Sequence, residues 1–352
     1  MNDTHPADMA EATRLTLAGR LAEATALIQR LLHGHPAPQA ASPAPRVPGR
    51  LQRFLDGLLG RAPAAPSSAT RGMTAARFTS SAGSRAYRLY VPSALGQRPL
   101  PLVVMLHGCT QSPEDFAAGT RMNDLAEARG FYVAWPEQDQ RANAQRCWNW
   151  FQPGDQTRDH GEPGLIAGII GQIIAEHRID KARVYVAGLS AGGAQAAIMA
   201  EAYPDLFAAV GVHSGLACGA ARDLPSALAA MQQGPTAATP ATGAGVPTIL
   251  FHGDTDRTVN PVNGDALAAR TLAGAVGLRT EIDEGRSPGG LAYHRARHLD
   301  GSGRPLLERW TVHGAGHAWS GGSPDGSFTE PRGPDASLAM VEFFLAHELA
   351  RG

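Results

Sequence analysis

Three sites in this sequence carry residue types that nucleophilic catalysis would need. They are a serine held between glycines, two aspartates after an apolar run, and a histidine in a glycine-rich loop. Residues 183–199 read RVYVAGLSAGGAQAAIM, and Gly188-Leu189-Ser190-Ala191-Gly192 fits G-x-S-x-G. The β-branched and aromatic run Val184, Tyr185, Val186 predicts a strand, and the alanine-rich stretch after Gly192 predicts a helix. In a chain with 41 glycines the pentapeptide alone arises in ordinary turns. Its place between strand and helix is what marks a nucleophile elbow, with glycines where the chain segments must pass closely. Ser190 is the candidate nucleophile.

A serine hydroxyl needs a base, and the base needs an acid to fix its tautomer. In a hydrolase sheet these follow in the order serine, acid, histidine, on loops after later strands. The apolar run 249–251 leads into His252-Gly253-Asp254-Thr255-Asp256. Asp254 suits a turn-stabilising role through backbone amides, so Asp256 is the candidate acid. Near the C-terminus, Val312-His313-Gly314-Ala315-Gly316-His317 places His317 in a loop freed by glycines. His317 is the candidate base, and His313, at the strand end, reads as structural. His107 and His252, each in a His-Gly pair after a buried run, read as structural hydrogen-bonding groups. Donors for the developing oxyanion are expected from the Ala191 amide and from the loop 106–111, at Cys109 with Thr110 as the alternative.

These loops need a parallel sheet to present them. Strands are expected at 86–91, 102–106, 131–135, 208–212 and 248–251, besides the one before Ser190. Helices are expected at 124–129, 165–176 and 265–276, and Asp335 should cap a last helix reaching 349. Residues 295–312 read as a hairpin turned at 300–303. Strands alternating with helices predict a mostly parallel, doubly wound α/β sheet. Before it, 9–32 has helical spacing of apolar residues, and 35–50 and 62–72 are rich in proline and alanine. The expected organisation is therefore an N-terminal helix and linker over 1–72 and a catalytic domain over 73–352.

At 352 residues with 43% hydrophobic content, the chain can bury one large core. A net charge of -1 gives no basis for capturing nucleic acid or an anionic membrane. No stretch approaches the ~20 apolar residues of a membrane span. The three cysteines lack C-x-x-C spacing, so no metal site is expected, and the proposed chemistry needs no cofactor. The first residues include acidic groups and no apolar leader segment, so the sequence as it stands reads as cytoplasmic. Oligomeric state is not encoded in any motif.

The segments LHGCTQSPEDFA, FYVAWPEQ, RCWNWFQPGDQ, RVYVAGLSAGGA, FHGDTDRTVNP and GAGHAWSGG together resemble the catalytic domain of the polyhydroxybutyrate depolymerase family of esterases, which includes feruloyl and acetylxylan esterases. The resemblance covers roughly residues 75 to 350. It implies an α/β-hydrolase fold, hydrolysis of carboxylic esters through an acyl-enzyme, and Ser190, Asp256 and His317 as the triad. The substrate it implies is a small ester or polyester, with 3-hydroxybutyrate oligomers first and feruloyl or acetylated carbohydrate esters as the alternative. Depolymerases of this kind are typically secreted and usually carry a polymer-binding domain; nothing here reads as a leader or as a domain after the last helix, which favours soluble oligomers. Cys109 and Cys147 fall in two of the matching segments. A disulfide between them would brace the oxyanion loop, whereas a cytosolic location disfavours one, and both readings stand. Trp319, two residues from His317, and Trp150 are expected to line the substrate pocket, while Trp148 and Phe151 suit pocket and core equally. A reading of another class is an inactive hydrolase-fold scaffold. A peptidase of the same fold ranks below both.

Overall fold

A computed structural model describes residues 70–235 and 245–350. The chain divides into two units, Met1–Ser67 and Ser68–Gly352. The described residues belong to the second, so the expected N-terminal helix and most of the linker lie outside them.

Ten strands form one sheet in the order β1-β2-β4-β3-β5-β6-β7-β10-β9-β8. Its middle is parallel: β4 (Tyr132–Pro136), β3 (Leu100–Leu106), β5 (Ile179–Leu189), β6 (Ala209–His213), β7 (Thr248–Gly253) and β10 (Pro305–Val312). Antiparallel strands flank it, β1 (Met73–Ser80) with β2 (Gly83–Tyr90) on one side and β8 (Arg279–Arg286) with β9 (Ala292–Leu299) on the other. The middle strands read as near-continuous apolar runs because both their faces are covered. Alternate residues divide between two cores. Leu102, Val104, Leu106, Val184, Val186 and Val212 pack with α3 (Gly161–Glu176) and α4 (Ala191–Ala202), whereas Val103, Met105, Tyr185, Ala187 and Phe251 pack with α1 (Pro113–Thr120), α2 (Met122–Arg129) and α7 (Ala336–Leu345). In α3, Leu165, Ile166, Ile169, Ile170 and Ile173 make one helical stripe, fully buried. Each contributes about 1.5–3 kcal/mol of burial.

Several boundaries differ from expectation. Helix α1 was not foreseen, and it is short, with Pro113 at its start and Ser112 accepting the Asp115 amide as its cap. Helix α6 (Val262–Leu272) ends before the glycines at 274 and 277. Asp335 does cap α7, accepting the Leu338 amide at 2.9 Å, but α7 stops at Leu345. A last helix, α5 (Leu224–Gln233), carries an Asp223 capping box. A two-stranded ladder, β11 (Trp319–Ser320) with β12 (Thr329–Glu330), folds over α1 through hydrogen bonds such as Ser323 N to Gly119 O. Among the described residues no helix is long and apolar enough to cross a membrane.

Candidate active site

Ser190 stands between β5 and α4 with φ 59° and ψ -120°, a left-handed conformation that strains any residue with a Cβ. Such strain costs about 1–3 kcal/mol and persists only where its surroundings impose it. Here two glycines allow those surroundings. A Cβ on Gly192 would lie 2.0 Å from Leu106 O, and one on Gly188 would lie 2.3 Å from the Gly192 carbonyl. The Ser190 amide donates to His213 O at 2.9 Å, and Ala194 N closes the first turn of α4 onto Ser190 O. Among the described residues, the Ser190 hydroxyl makes no hydrogen bond, so the structure does not join Ser190 to His317 directly.

The other two candidates are joined. His317 Nδ1 lies 2.7 Å from Asp256 Oδ2, and Asp256 Oδ1 accepts the amides of Thr258 and Val259 at 2.9 Å each. Burial pushes the Asp256 carboxyl up, but hydrogen bonds from His252 and His317, the His317 charge and the Val259 amide outweigh it. The net effect holds Asp256 well below the usual carboxylate range. An ionised acceptor at Nδ1 leaves Nε2 of a neutral His317 free as a base. The two loops are zipped together past the β7–β10 pairing: Asp254 N donates to Val312 O, and Thr255 N and Oγ1 donate to Ala315 O. Gly253 is required there, since a Cβ would sit 2.3 Å from Ala315 O.

Asp254 does more than stabilise its own turn. It binds His313 Nδ1 at 2.8 Å and the Gly314 amide at 2.7 Å, clamping the start of the histidine loop. His252 Nε2 lies 2.8 Å from Val259 O and 3.5 Å from Asp256 Oδ2, so it supports the acid loop. His107 is buried, with Nδ1 2.8 Å from Gly108 O and Nε2 accepting the Gln138 amide at 3.1 Å. Burial lowers it to about 4, so it is neutral at ordinary pH.

His213 is a residue that the sequence reading passed over. Its carbonyl holds the Ser190 amide, and its Nε2 accepts the Ser320 amide at 2.9 Å, three residues past His317. It thus ties the elbow to the histidine loop. Burial, with the nearby His252 and His317, lowers it to about 3, which keeps Nε2 an acceptor. The available signal was its place after a buried strand, shared with His107 and His252.

On the oxyanion side, Gly108 borders the elbow: a Cβ there would lie 3.7 Å from Ser190 Cβ. The Thr110 amide is occupied by Gln145 O at 2.6 Å, which removes Thr110 as a donor. Among the described residues the Cys109 amide donates to no protein acceptor, and neither does Ala191 at the first position of α4. Cys109 and Cys147 form a disulfide. Cys218 is free, and burial raises its thiol to about 12.

The aromatic residues require correction. Trp319 is 1% exposed, stands edge-on to Phe116, stacks on His213 and donates its Nε1 to Ser337. Proximity to His317 in sequence did not bring it to the pocket, because β11 turns it inward. Trp150 is also buried, edge-on to the half-buried Phe151, and Trp148 is fully buried with Nε1 bonded to His107 O. Among the described residues no cluster of three or more histidine, cysteine or acidic residues is arranged to hold a metal ion.

The parallel sheet with the elbow after β5 and the acid and histidine after β7 and β10 is an α/β-hydrolase arrangement. A solved structure of the same fold, an acetyl xylan esterase from Aspergillus awamori, aligns with a TM-score of 0.60 at 21% identity over 78% of this chain and 99% of that one. Residues 85–283 match the family described as Esterase PHB depolymerase, and the chain belongs to that family. It is 34% identical over 268 residues to poly(3-hydroxyalkanoate) depolymerase C of Paucimonas lemoignei, covering 72% of this chain and 63% of that protein. It is 35% identical over 142 residues to feruloyl esterase B of Thermothelomyces thermophilus, covering 40% of this chain and 47% of the relative. The chain therefore spans less than two thirds of the length of both relatives.

Proposed function

We propose that this protein is a serine esterase acting on short polyhydroxyalkanoate chains such as 3-hydroxybutyrate oligomers. The observation that carries the reading is a strained serine at a strand-to-helix turn, on the same sheet edge as a buried, ionised Asp256 that orients His317. In acylation His317 Nε2 takes the Ser190 proton as Oγ bonds to the ester carbon. The carbonyl π pair moves onto oxygen, which accepts the amides of Ala191 and Cys109. Collapse expels the alcohol, protonated by His317, and leaves an acyl-serine. Water then repeats the sequence with His317 again as base, releasing the acid and restoring Ser190. The imidazolium formed at each attack is stabilised by Asp256.

Substrate choice rests on similarity: the match to a depolymerase covers more of the chain than the match to a feruloyl esterase. The Cys109–Cys147 disulfide supports an oxidising compartment over the cytoplasm. The test is hydrolysis of p-nitrophenyl esters from acetate to octanoate beside hydroxybutyrate oligomers, with Ser190→Ala in parallel. Turnover that is fastest on the oligomers and lost in the variant upholds the reading. Folded protein inactive on every ester would sink it in favour of a scaffold role.

A further inference from the structure

Glu162, the second residue of α3, is 3% exposed and lies beyond the triad and the oxyanion donors. Every group that its carboxylate hydrogen-bonds belongs to a segment supporting the oxyanion loop. Oε2 accepts the Asn149 amide at 2.8 Å, and Oε1 accepts Asn149 Nδ2 at 2.9 Å and Gln138 Nε2. Gln138 in turn works in two directions. Its Nε2 donates to Cys147 O at 2.8 Å, and its backbone amide donates to His107 Nε2 at 3.1 Å. Cys147 carries the disulfide to Cys109, while His107 immediately precedes Gly108. Asn149 Oδ1 accepts Asn143 Nδ2, and Asn143 Oδ1 accepts the amides of Gln145 and Cys147. Gln145 O then holds the Thr110 amide. One buried carboxylate therefore reaches both sides of Cys109.

We propose that Glu162 is a positioning residue for the oxyanion hole, its carboxylate fixing through Gln138 and Asn149 the loop that presents the Cys109 amide. This rests on the serine mechanism proposed above. The chemistry requires an acceptor. Gln138, both Asn149 donors and the Arg85 guanidinium of β2, at 3.6 Å, all turn N–H groups towards Glu162. The carboxylate near it, Asp155, is engaged by the Glu162 amide at 2.7 Å. An ionised carboxylate accepts from all of these donors, but a carboxamide of the same size must turn an NH₂ towards one of them. The resulting shift is transmitted to a donor whose worth depends on geometry: a misplacement of about 1 Å can cost ~100-fold.

The test compares wild type, Ser190→Ala, Glu162→Gln and Gln138→Leu, each checked for folding by circular dichroism. Three quantities are read: kcat/KM on p-nitrophenyl butyrate, Ki for an alkyl trifluoromethyl ketone, and Ki for the matching methyl ketone. The trifluoromethyl ketone takes the Ser190 oxygen onto its carbonyl carbon and places an oxyanion in the hole, while the methyl ketone stays planar. Glu162→Gln should lower kcat/KM by roughly 10- to 100-fold. It should raise the trifluoromethyl ketone Ki by the same factor and leave the methyl ketone Ki unchanged. Gln138→Leu, which cuts the link but keeps the carboxylate, should move the same two quantities and carries the test if Glu162→Gln does not fold. Folded variants with wild-type kcat/KM, or with both ketones weakened equally, overturn the proposal. Wild type without turnover dependent on Ser190 would instead overturn the serine mechanism.

Discussion

Two aspartate–histidine pairs join the loops after β7 and β10. Asp256 and His317 lie 2.7 Å apart, and Asp254 and His313 lie 2.8 Å apart. Distance does not separate them, but surroundings do. The side chains of the first pair are 0% and 12% exposed, and those of the second are 37% and 48% exposed. Asp256 also takes two backbone amides and has His252 beside it, so its charge is held in a region of low dielectric where it acts strongly on His317. Asp254 faces solvent, which screens its charge. Under the proposed mechanism, burial and the remaining hydrogen bonds, rather than the Asp–His contact itself, would fit one pair for catalysis and leave the other as a clamp.

The sharpest way to break this distinction is to neutralise each acid. Asp256→Asn should lower kcat by about 10⁴-fold, because the amide favours the wrong tautomer of His317. Kinetics on a p-nitrophenyl ester would show it, and a loss of less than tenfold would make the buried pair no more catalytic than the exposed one.

A second prediction concerns the packing behind His317. Trp319→Ala should cost about 3–5 kcal/mol of stability, as for a large aromatic removed from a core. Denaturant melts would detect it. A raised KM for bulky esters with unchanged stability would return Trp319 to the pocket.

The pair's charge also sets a pH dependence. Asp256 is held below its ordinary range, so the stability it contributes is present above the unfolded carboxylate pKa of about 3.9 and is lost as pH falls. Glu162 has the opposite sign. Burial, with Asp155 nearby, raises it to about 7 against its hydrogen bonds, so forming the carboxylate that accepts its donors costs stability: the contribution is full below the unfolded pKa of about 4.3, declines as pH rises and is lost by about pH 7, where the ionised acceptor takes over. Thermal melts from pH 3 to 9 should show Asp256→Asn flattening the acid side and Glu162→Gln flattening the decline between about pH 4 and 7. Parallel curves for wild type and Glu162→Gln would exclude that ionisation.

The smallest effect belongs to the exposed pair. Asp254→Asn should change stability by about 0–1 kcal/mol, as for other exposed ion pairs, and kcat by less than threefold. A hundredfold loss in kcat would show that the clamp sets the position of His317.

The contrast also explains how far the chain could be read in advance. Ser190 and Asp256 were legible as candidates because each follows a buried strand beside glycines that close backbone packing requires, and His317 because it follows a strand in a glycine-rich loop, although a Cβ at Gly314 or Gly316 would meet only open space. Five of the six parallel strands were legible as apolar runs, whereas β10, which carries Glu308 and Arg309, was read only as one arm of a hairpin. The edge strands β1 and β8 were not, since exposed strands alternate charged and polar residues such as Arg279, Glu281 and Asp283 without an apolar run. Glu162 was invisible for another reason: its partners, Gln138 and Asn149, lie 24 and 13 residues away, and no spacing announces a buried acceptor. Trp319 misled because closeness in sequence to His317 does not say which side of β11 a side chain takes.

The most direct test of the central claim is to treat the protein with diethyl p-nitrophenyl phosphate and map the adduct by mass spectrometry. The account predicts one diethylphosphoryl group, on Ser190, with labelling slowed in His317→Ala and Asp256→Asn and hardly changed in Asp254→Asn. No adduct on folded protein, or an adduct on any other residue, would contradict it.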